Sequence, residues 1–161
     1  SIGFTQVGQL VTMRGVLTDV PNLSGAKDLE EGDRESLISL ESDAYGGDRT
    51  ALVDWLLAHS ELAVVRKQSA SNGYAALRQF GDCYVIGPVV AANRQDARAL
   101  ISHLAKGIEG AVLRLDVTAE SALGPWLQTL GLSIVDAPPF MQRGRMPLNE
   151  KRQALFNQAL G

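Results

Sequence analysis

The sequence predicts an α+β (mixed α/β) domain, a sheet flanked by helices, and three observations carry that expectation. Short β-branched and apolar runs alternate with segments whose apolar residues recur at helical spacing. Their order is strands first, then strand–helix–strand–helix–strand, which builds a mixed sheet. The chain has 161 residues, 45% of them hydrophobic, enough for one ordinary domain with a real core.

In chain order, Thr5–Val7 and Leu10–Met13 read as two short strands joined at Gly8. Pro21, Asn22, Ser24 and Gly25 make a linker-like break before a possible strand over Ala26–Leu29. Asp33 is placed to cap a helix carrying Leu37, Leu40, Ala44 and Tyr45, which Gly46-Gly47 stops. Thr50 is placed to cap a second helix, with Leu52, Trp55, Leu56 and His59 on one face. Leu62–Val65, Tyr74–Phe80 and Cys83–Ala91 read as strands, with turns at Asn72-Gly73 and Gly81-Asp82, hence an antiparallel meander. Asn93 opens the most regular helix, with Ala97, Leu100, Ile101, Leu104 and Ile108 on one stripe and Gly107 or Gly110 at its end. Ala111–Val117 is an apolar strand. The helix after it ends at Leu130, with Pro125 confined to a first-turn position. Leu132–Val135 and Phe140–Arg143 are the closing strands, and Leu148–Leu160 has the spacing of a terminal amphipathic helix.

Composition removes several functions. A formal net charge of -3 argues against nucleic acid as the main partner, because neutralising phosphates takes clustered Lys and Arg. No run of about eighteen apolar residues exists, so no membrane-spanning helix and no membrane partner is expected. Cys83 stands alone, which excludes an internal disulfide and a thiolate-rich metal site. His59 and His103 lie far apart in sequence, so no metal site is expected. The composition suits a reducing compartment and no targeting segment is visible, so the expected location is cytoplasmic. The chain begins at Ser1 rather than methionine, as expected of a processed or excised piece.

One imperfect echo runs through the chain. Gly3-Phe4-Thr5-Gln6-Val7 and Val11-Thr12-Met13-Arg14-Gly15 resemble Gly131-Leu132-Ser133-Ile134-Val135 and Phe140-Met141-Gln142-Arg143-Gly144. Either these are two unrelated β segments with common residues, or residues 1–22 hold the terminal strands of a preceding similar domain plus a linker. On the second reading the organisation is 1–22, a complete domain over 23–146, and a C-terminal helix over 147–161. The first strands would then add to this domain's sheet or to that of a second copy, giving a homodimer through the N-terminal strands.

Arg94-Gln95-Asp96-Ala97-Arg98-Ala99 follows an apolar strand directly and opens a helix. Free backbone N–H groups and the helix dipole can hold a phosphate there. The plainer alternative is an ordinary capped helix with Asn93 as cap and Asp96 in its first turn. At this segment the sequence resembles the GNAT superfamily of acyl-CoA-dependent N-acetyltransferases, whose pyrophosphate loop reads Arg/Gln-x-x-Gly-x-Gly/Ala. Arg94, Ala97 and Ala99 stand at the marked positions, with alanine in place of the central glycine. More closely it resembles the C-terminal half of bacterial tandem-domain GNAT proteins. Tyr45-Gly46-Gly47-Asp48-Arg49, Ile86–Ala91, Leu115-Asp116-Val117 and the stretch from Leu130-Gly131-Leu132 to Met141–Gly144 carry that likeness.

The resemblance implies a central mixed, mostly antiparallel sheet in which two neighbouring parallel strands, Cys83–Ala91 and Ala111–Val117, splay apart around acetyl-CoA. Val89, Val90 and Ala91 would pair with the pantetheine amides. Arg94 and the backbone of Gln95, Asp96, Ala97, Arg98 and Ala99 would bind the pyrophosphate. A small-molecule amine would attack the thioester directly, with the protein positioning reactants and managing protons. The inter-helix loop carrying Tyr45, Asp48 and Arg49 borders acceptor sites in that superfamily; its plainer role is a helix-ending turn with a local ion pair. Asp116 is either a base or amine anchor, or a structural acceptor within an apolar strand. Tyr84 is either a proton donor to the leaving thiolate or a core aromatic. The position where family members often place that donor tyrosine falls on Leu127, which has no proton to give, and Asp96 puts negative charge near the phosphate loop. These departures leave open a second function, a catalytically degenerate GNAT-like module with a structural, regulatory or dimerisation role. Cys83 reads as a buried strand residue, and Trp55 and Trp126 read as core anchors.

Overall fold

A computed structural model describes residues 3–67, 70–143 and 149–156. The apolar runs read as strands do form a sheet, whose members are β1 (Phe4–Val16), β2 (Ala26–Asp28), β3 (Glu61–Lys67), β4 (Ala70–Phe80), β5 (Cys83–Val90), β6 (Val112–Thr118), β7 (Ser133–Asp136), β8 (Pro139–Arg143) and β9 (Arg152–Ala154). The helices are α1 (Arg34–Tyr45), α2 (Thr50–His59), α3 (Arg94–Ala105) and α4 (Gly124–Thr129). The strand order is β2-β3-β4-β5-β9-β6-β1-β7, and β8 pairs with the first half of β1. All neighbours are antiparallel except β5 and β6, which run parallel and bond only at Tyr84↔Leu113 and Val85↔Arg114. This is the mixed, mostly antiparallel sheet flanked by helices that the resemblance implied.

Alternation along the strands divides the core into two layers. Ala63, Val65, Ala75 and Leu77 face α3, whose Ala97, Leu100, Ile101 and Leu104 are all buried. Leu62, Val64, Tyr74 and Ala76 face the other way, onto Leu37, Ala44 and Tyr45 of α1 and Val53 and Leu56 of α2. Each fully buried Leu or Ile contributes about 1.5–3 kcal/mol relative to exposure. The Asn93 side chain accepts the Asp96 N–H at 2.8 Å and caps α3 as expected. Pro125 falls in the first turn of α4, also as expected.

Several elements differ from the sequence reading. The first segment is one continuous strand, with an irregularity between Gln6 and Gly8 where its pairing to β8 shifts. Asn72-Gly73 is strand rather than turn, and β4 begins at Ala70. Gly73 serves close packing: a Cβ there would lie 2.8 Å from the Val90 carbonyl oxygen. Asp33 precedes α1 without capping it, because its carboxylate turns to Arg66, Ser71 and the Glu30 amide. Thr50 begins α2, and its amide and hydroxyl both donate to Asp48 Oδ1, which takes the cap-like role. Trp55 is 42% exposed, stacking on His59 and meeting Phe156 edge-on, whereas Trp126 is partly buried against the core. The largest correction is at the C-terminus, where the expected helix over 147–161 is replaced, within the described residues, by a turn and β9.

Candidate functional site

The last turn of β5, the start of α3 and the diverging half of β6 form a wedge. Parallel strands that separate leave a row of unpaired N–H and C=O groups on each side, and buried groups of that kind need partners. Here the chain itself supplies them. β9 enters antiparallel to both strands, with Val89↔Ala154 and Val90↔Arg152 on one side and Val117↔Ala154 on the other. The Ala91 N–H donates to the Lys151 carbonyl at 2.9 Å, and the Leu155 N–H donates to the Asp116 carbonyl at 2.9 Å. Gly87 lets the segment approach, since a Cβ there would overlap the Leu155 carbonyl oxygen. Arg78 donates to the Gly87 and Phe156 carbonyls and its guanidinium stacks on the Phe156 ring. Outside the wedge, Lys151 pairs with Asp43 at 2.6 Å and Asn149 donates to the Asp43 carbonyl at 2.8 Å.

The start of α3 is satisfied in a similar way. Arg94 Nε donates to the Ser121 carbonyl at 3.1 Å, which ties this side chain to the turn after β6. Gln95 is exposed. Asp96 accepts from Asn93 and forms an ion pair with Lys67 at 3.1 Å. Ala97 and Ala99 are buried beneath the helix, and Arg98 lies over the Trp126 ring. A cavity of about 470 Å³ opens beside this helix start, bordered by Asn93, Arg94, Thr118, Glu120, Glu150 and Arg152.

The candidate chemical groups do not converge. Asp116 is buried in β6, accepting from Thr12 Oγ1 at 2.8 Å and from Arg114 at 3.2 Å. These bonds consume it as a structural acceptor that joins β1 to β6. Tyr84 lies where β5 and β6 are still bonded, at the closed end of the wedge. Leu127 is fully buried core. Tyr45 and Arg49 do meet, with the guanidinium 4.0 Å from the ring centroid, whereas Asp48 stays exposed and serves the start of α2.

Tyr45 and Arg49 belong to a buried polar cluster that sequence reasoning missed. Glu41 is fully buried on α1, accepts the Tyr74 hydroxyl and pairs with Arg49 at 2.8 Å. Burial pushes the Glu41 carboxyl above its ordinary value of 4.5, against the opposing pull of Tyr74 and Arg49. Burial and the neighbouring Glu41 likewise raise both tyrosine hydroxyls. Arg152 of β9 reaches the same cluster, 5.2 Å from the Tyr45 ring centroid. A signal was present: Glu41 falls on the Leu37–Ala44–Tyr45 stripe, and a carboxylate on an apolar stripe needs a buried partner.

A splayed parallel pair, a capped helix at its mouth and two helices opposite define an acyltransferase-type sheet, and comparison with known proteins agrees. The family model described as an acetyltransferase (GNAT) domain matches residues 37–157, which includes β9. The chain belongs to the GNAT acetyltransferase family. It is 32% identical over 136 residues to the uncharacterized N-acetyltransferase YitH of Bacillus subtilis (strain 168), covering 81% of this chain and 48% of that protein. The chain thus spans about half the length of this curated relative. A structure from Pyrococcus horikoshii assigned as an acetyltransferase superposes with a TM-score of 0.69 at 12% identity, over 98% of this chain and 53% of that one. A GNAT-family structure from Novosphingobium aromaticivorans DSM 12444 gives 0.62 at 21% identity, over 84% and 64%. Both share the fold.

The cofactor of that family does not fit the cleft as it stands. The Val89–Ala91 edge that pantetheine would use is bonded to Lys151, Arg152 and Ala154. Glu120 and Glu150 offset Arg94 and Arg152 around the cavity beside α3, where a diphosphate would need a positive balance.

Proposed function

We propose that the chain serves an acyl-CoA-dependent N-acetyltransferase acting on a small-molecule amine, as a GNAT-fold module whose own cleft is closed. The observation that carries this reading is β9, which takes the hydrogen-bonding edge of the wedge and inserts Leu155 and Phe156 into the layer beneath α1 and α2. The scattering of Asp116, Tyr84 and Leu127 supports it, because none of the three faces a shared point. Such a module contributes shape and support to an acetyltransferase rather than a thioester site of its own. The reading places the protein in the cytoplasm, the kind of compartment a single buried free cysteine suits. A second reading is favoured by the cavity beside Asn93 and Arg94: the thioester enters after β9 withdraws.

Calorimetric titration with acetyl-CoA separates the two. The closed module gives no saturable heat up to millimolar ligand, in the intact chain, in a chain ending at Arg143, and in Gly87→Ala. Weak, high-micromolar binding to the intact chain that tightens about 100-fold in the shortened or Gly87→Ala chain supports the withdrawing strand. Saturable micromolar binding to the intact chain, lost in Ala97→Glu, refutes the closed cleft.

A further inference from the structure

The cavity of about 470 Å³ beside α3 persists with the wedge closed, because β9 forms part of its wall instead of filling it. Gln153 of β9 borders this space and is 6% exposed. Its Nε2 donates to the Glu150 carbonyl at 2.6 Å, which fixes the amide, since the flipped orientation would set oxygen against oxygen. The other end of the amide, Oε1, is buried and accepts no hydrogen bond among the described residues. Buried acceptors are nearly always satisfied, so this one calls for a donor that the chain does not supply. The neighbouring hydroxyls are already spent. Thr118 donates to the Arg152 carbonyl and Ser121 to the Thr118 carbonyl.

Charges of both signs border the same space. Glu120 stands in the turn after β6, with Oε1 placed over Gly8 of β1, where an added Cβ would lie 3.0 Å from it. Glu150 stands in the turn before β9. Neither carboxylate has an ion-pair partner among the described residues. The positive counterpart is Arg94. Its Nε is held by the Ser121 carbonyl, and its two terminal nitrogens have no acceptor among the described residues. Arg94 also opens the 12-residue helix α3, whose leading amides favour an anion. Asp96, the acid of that turn, is offset by Lys67 at 3.1 Å. Val7 and Phe140, both half-buried, add an apolar wall.

We propose that this cavity binds a free α-amino acid with an apolar side chain while β9 stays in the wedge. The ligand carboxylate meets Arg94 and the start of α3. Its ammonium supplies the donor that Gln153 Oε1 needs and the cation that Glu120 and Glu150 need, and its side chain lies against Val7 and Phe140. A diphosphate would add negative charge beside two carboxylates, and a plain amine would leave Arg94 unanswered. The volume is that of a small-molecule pocket. Glu150 and Gln153 belong to the segment that closes the wedge, so an occupied cavity clamps that segment to α3 and to the turn after β6. The inference rests on the closed cleft proposed above, and no bond is made or broken in it.

Calorimetric titration of the 161-residue chain provides the test. L-leucine and L-phenylalanine are compared with phenethylamine, which lacks the carboxylate, with N-acetyl-L-phenylalanine, which lacks the ammonium, and with inorganic diphosphate. Saturable binding of the two amino acids is expected, with the other three weaker by about 10- to 100-fold, as for one lost charge-assisted hydrogen bond. Arg94→Gln, Gln153→Met and the double variant Glu120→Gln/Glu150→Gln should each weaken the amino acids by a similar factor. The double variant alters exposed side chains alone, so its loss is not one of folding. L-phenylalanine should also slow amide exchange at residues 152–155. No saturable heat up to millimolar amino acid would overturn the inference, as would equal binding of phenethylamine or N-acetyl-L-phenylalanine, or undiminished binding in the double variant. Failure of the closed cleft shows in a different ligand, as acetyl-CoA binding tightly to the intact chain, so the two failures are distinguishable.

Discussion

Replacing Gly87 with alanine would bring a methyl carbon inside the 3.0 Å that real Cβ atoms keep, against the backbone oxygen of Leu155. Backbone on both sides leaves no flexible side chain to give way, so β9 must shift or detach. Overpacking alone costs about 1–3 kcal/mol. Full detachment exposes Leu155 and Phe156, now 1% and 8% exposed. Their lost burial is about 1.5–3 kcal/mol each, partly offset by the chain entropy regained. We expect a net loss of about 3 kcal/mol, read as a fall in Tm of about 6–12 °C for a chain of this size. The control is Gly107→Ala, where an added Cβ meets nothing within 4 Å. Thermal unfolding followed by circular dichroism gives the first readout, and amide exchange at residues 152–155 gives the second. Gly87→Ala melting within about 1 °C of Gly107→Ala, with those amides still protected, would refute a strand built into the wedge.

Three further substitutions probe the polar interior and the seam between β1 and β7. Glu41 holds its proton above the ordinary 4.5, so the folded state binds more protons than the unfolded one in that window. Stability should accordingly fall as pH rises from 4.5, and Glu41→Gln should flatten that part of a denaturation-versus-pH curve. Asp33 behaves in the opposite sense. Burial pushes its carboxyl up, but the Glu30 amide, Ser71 and Arg66 together outweigh burial and bring it below 3.8. Asp33→Ala should cost about 2–3 kcal/mol at neutral pH by urea unfolding, and the penalty should shrink as pH falls below 3.8. Gly131 has φ +97° and would overlap the Val16 carbonyl if it carried a Cβ. Gly131→Ala should lower stability by at least about 1–3 kcal/mol in the same assay, and an unchanged midpoint would mean that the seam is not close-packed.

Elements whose signal is local were legible in the sequence. α3 was read from its cap, its apolar stripe and its terminating glycines, all of which act within a few residues. The apolar runs on either side of α3 marked β5 and β6 as strands, and their parallel pairing was implied by the family resemblance. What was not legible depends on partners far away in sequence. Leu148–Leu160 has helical spacing, yet residues 152–154 become strand because the wedge offers unpaired groups on both sides. Gly73 looked like a turn residue because a glycine needed for close packing and one needed for a turn are the same letter. Asp116 reads from sequence as either a base or a structural acceptor, and Thr12 could not be named as its partner before β1 was seen to lie against β6.

The wedge also sets the terms on which any acyl-CoA could enter. Pantetheine would have to replace the bonds that Ala91 and Asp116 now make with Lys151 and Leu155, and displace the Phe156 ring from Arg78. That is a competition between an intramolecular strand, present at an effective concentration of order millimolar, and a diffusing ligand. If closure is worth about 3 kcal/mol, only about one molecule in 150 is open, and the apparent Kd is weaker than the intrinsic one by that factor. A cleft of ordinary micromolar affinity would then bind in the high-micromolar range. Gly87→Ala should recover most of the difference if the thioester site is intact beneath β9. A cleft that has lost its phosphate contacts gains nothing from opening. The ratio of acetyl-CoA affinities in Gly87→Ala and the parent therefore distinguishes a covered site from a vanished one: a gain of about 100-fold means covered, and no measurable binding in either means vanished.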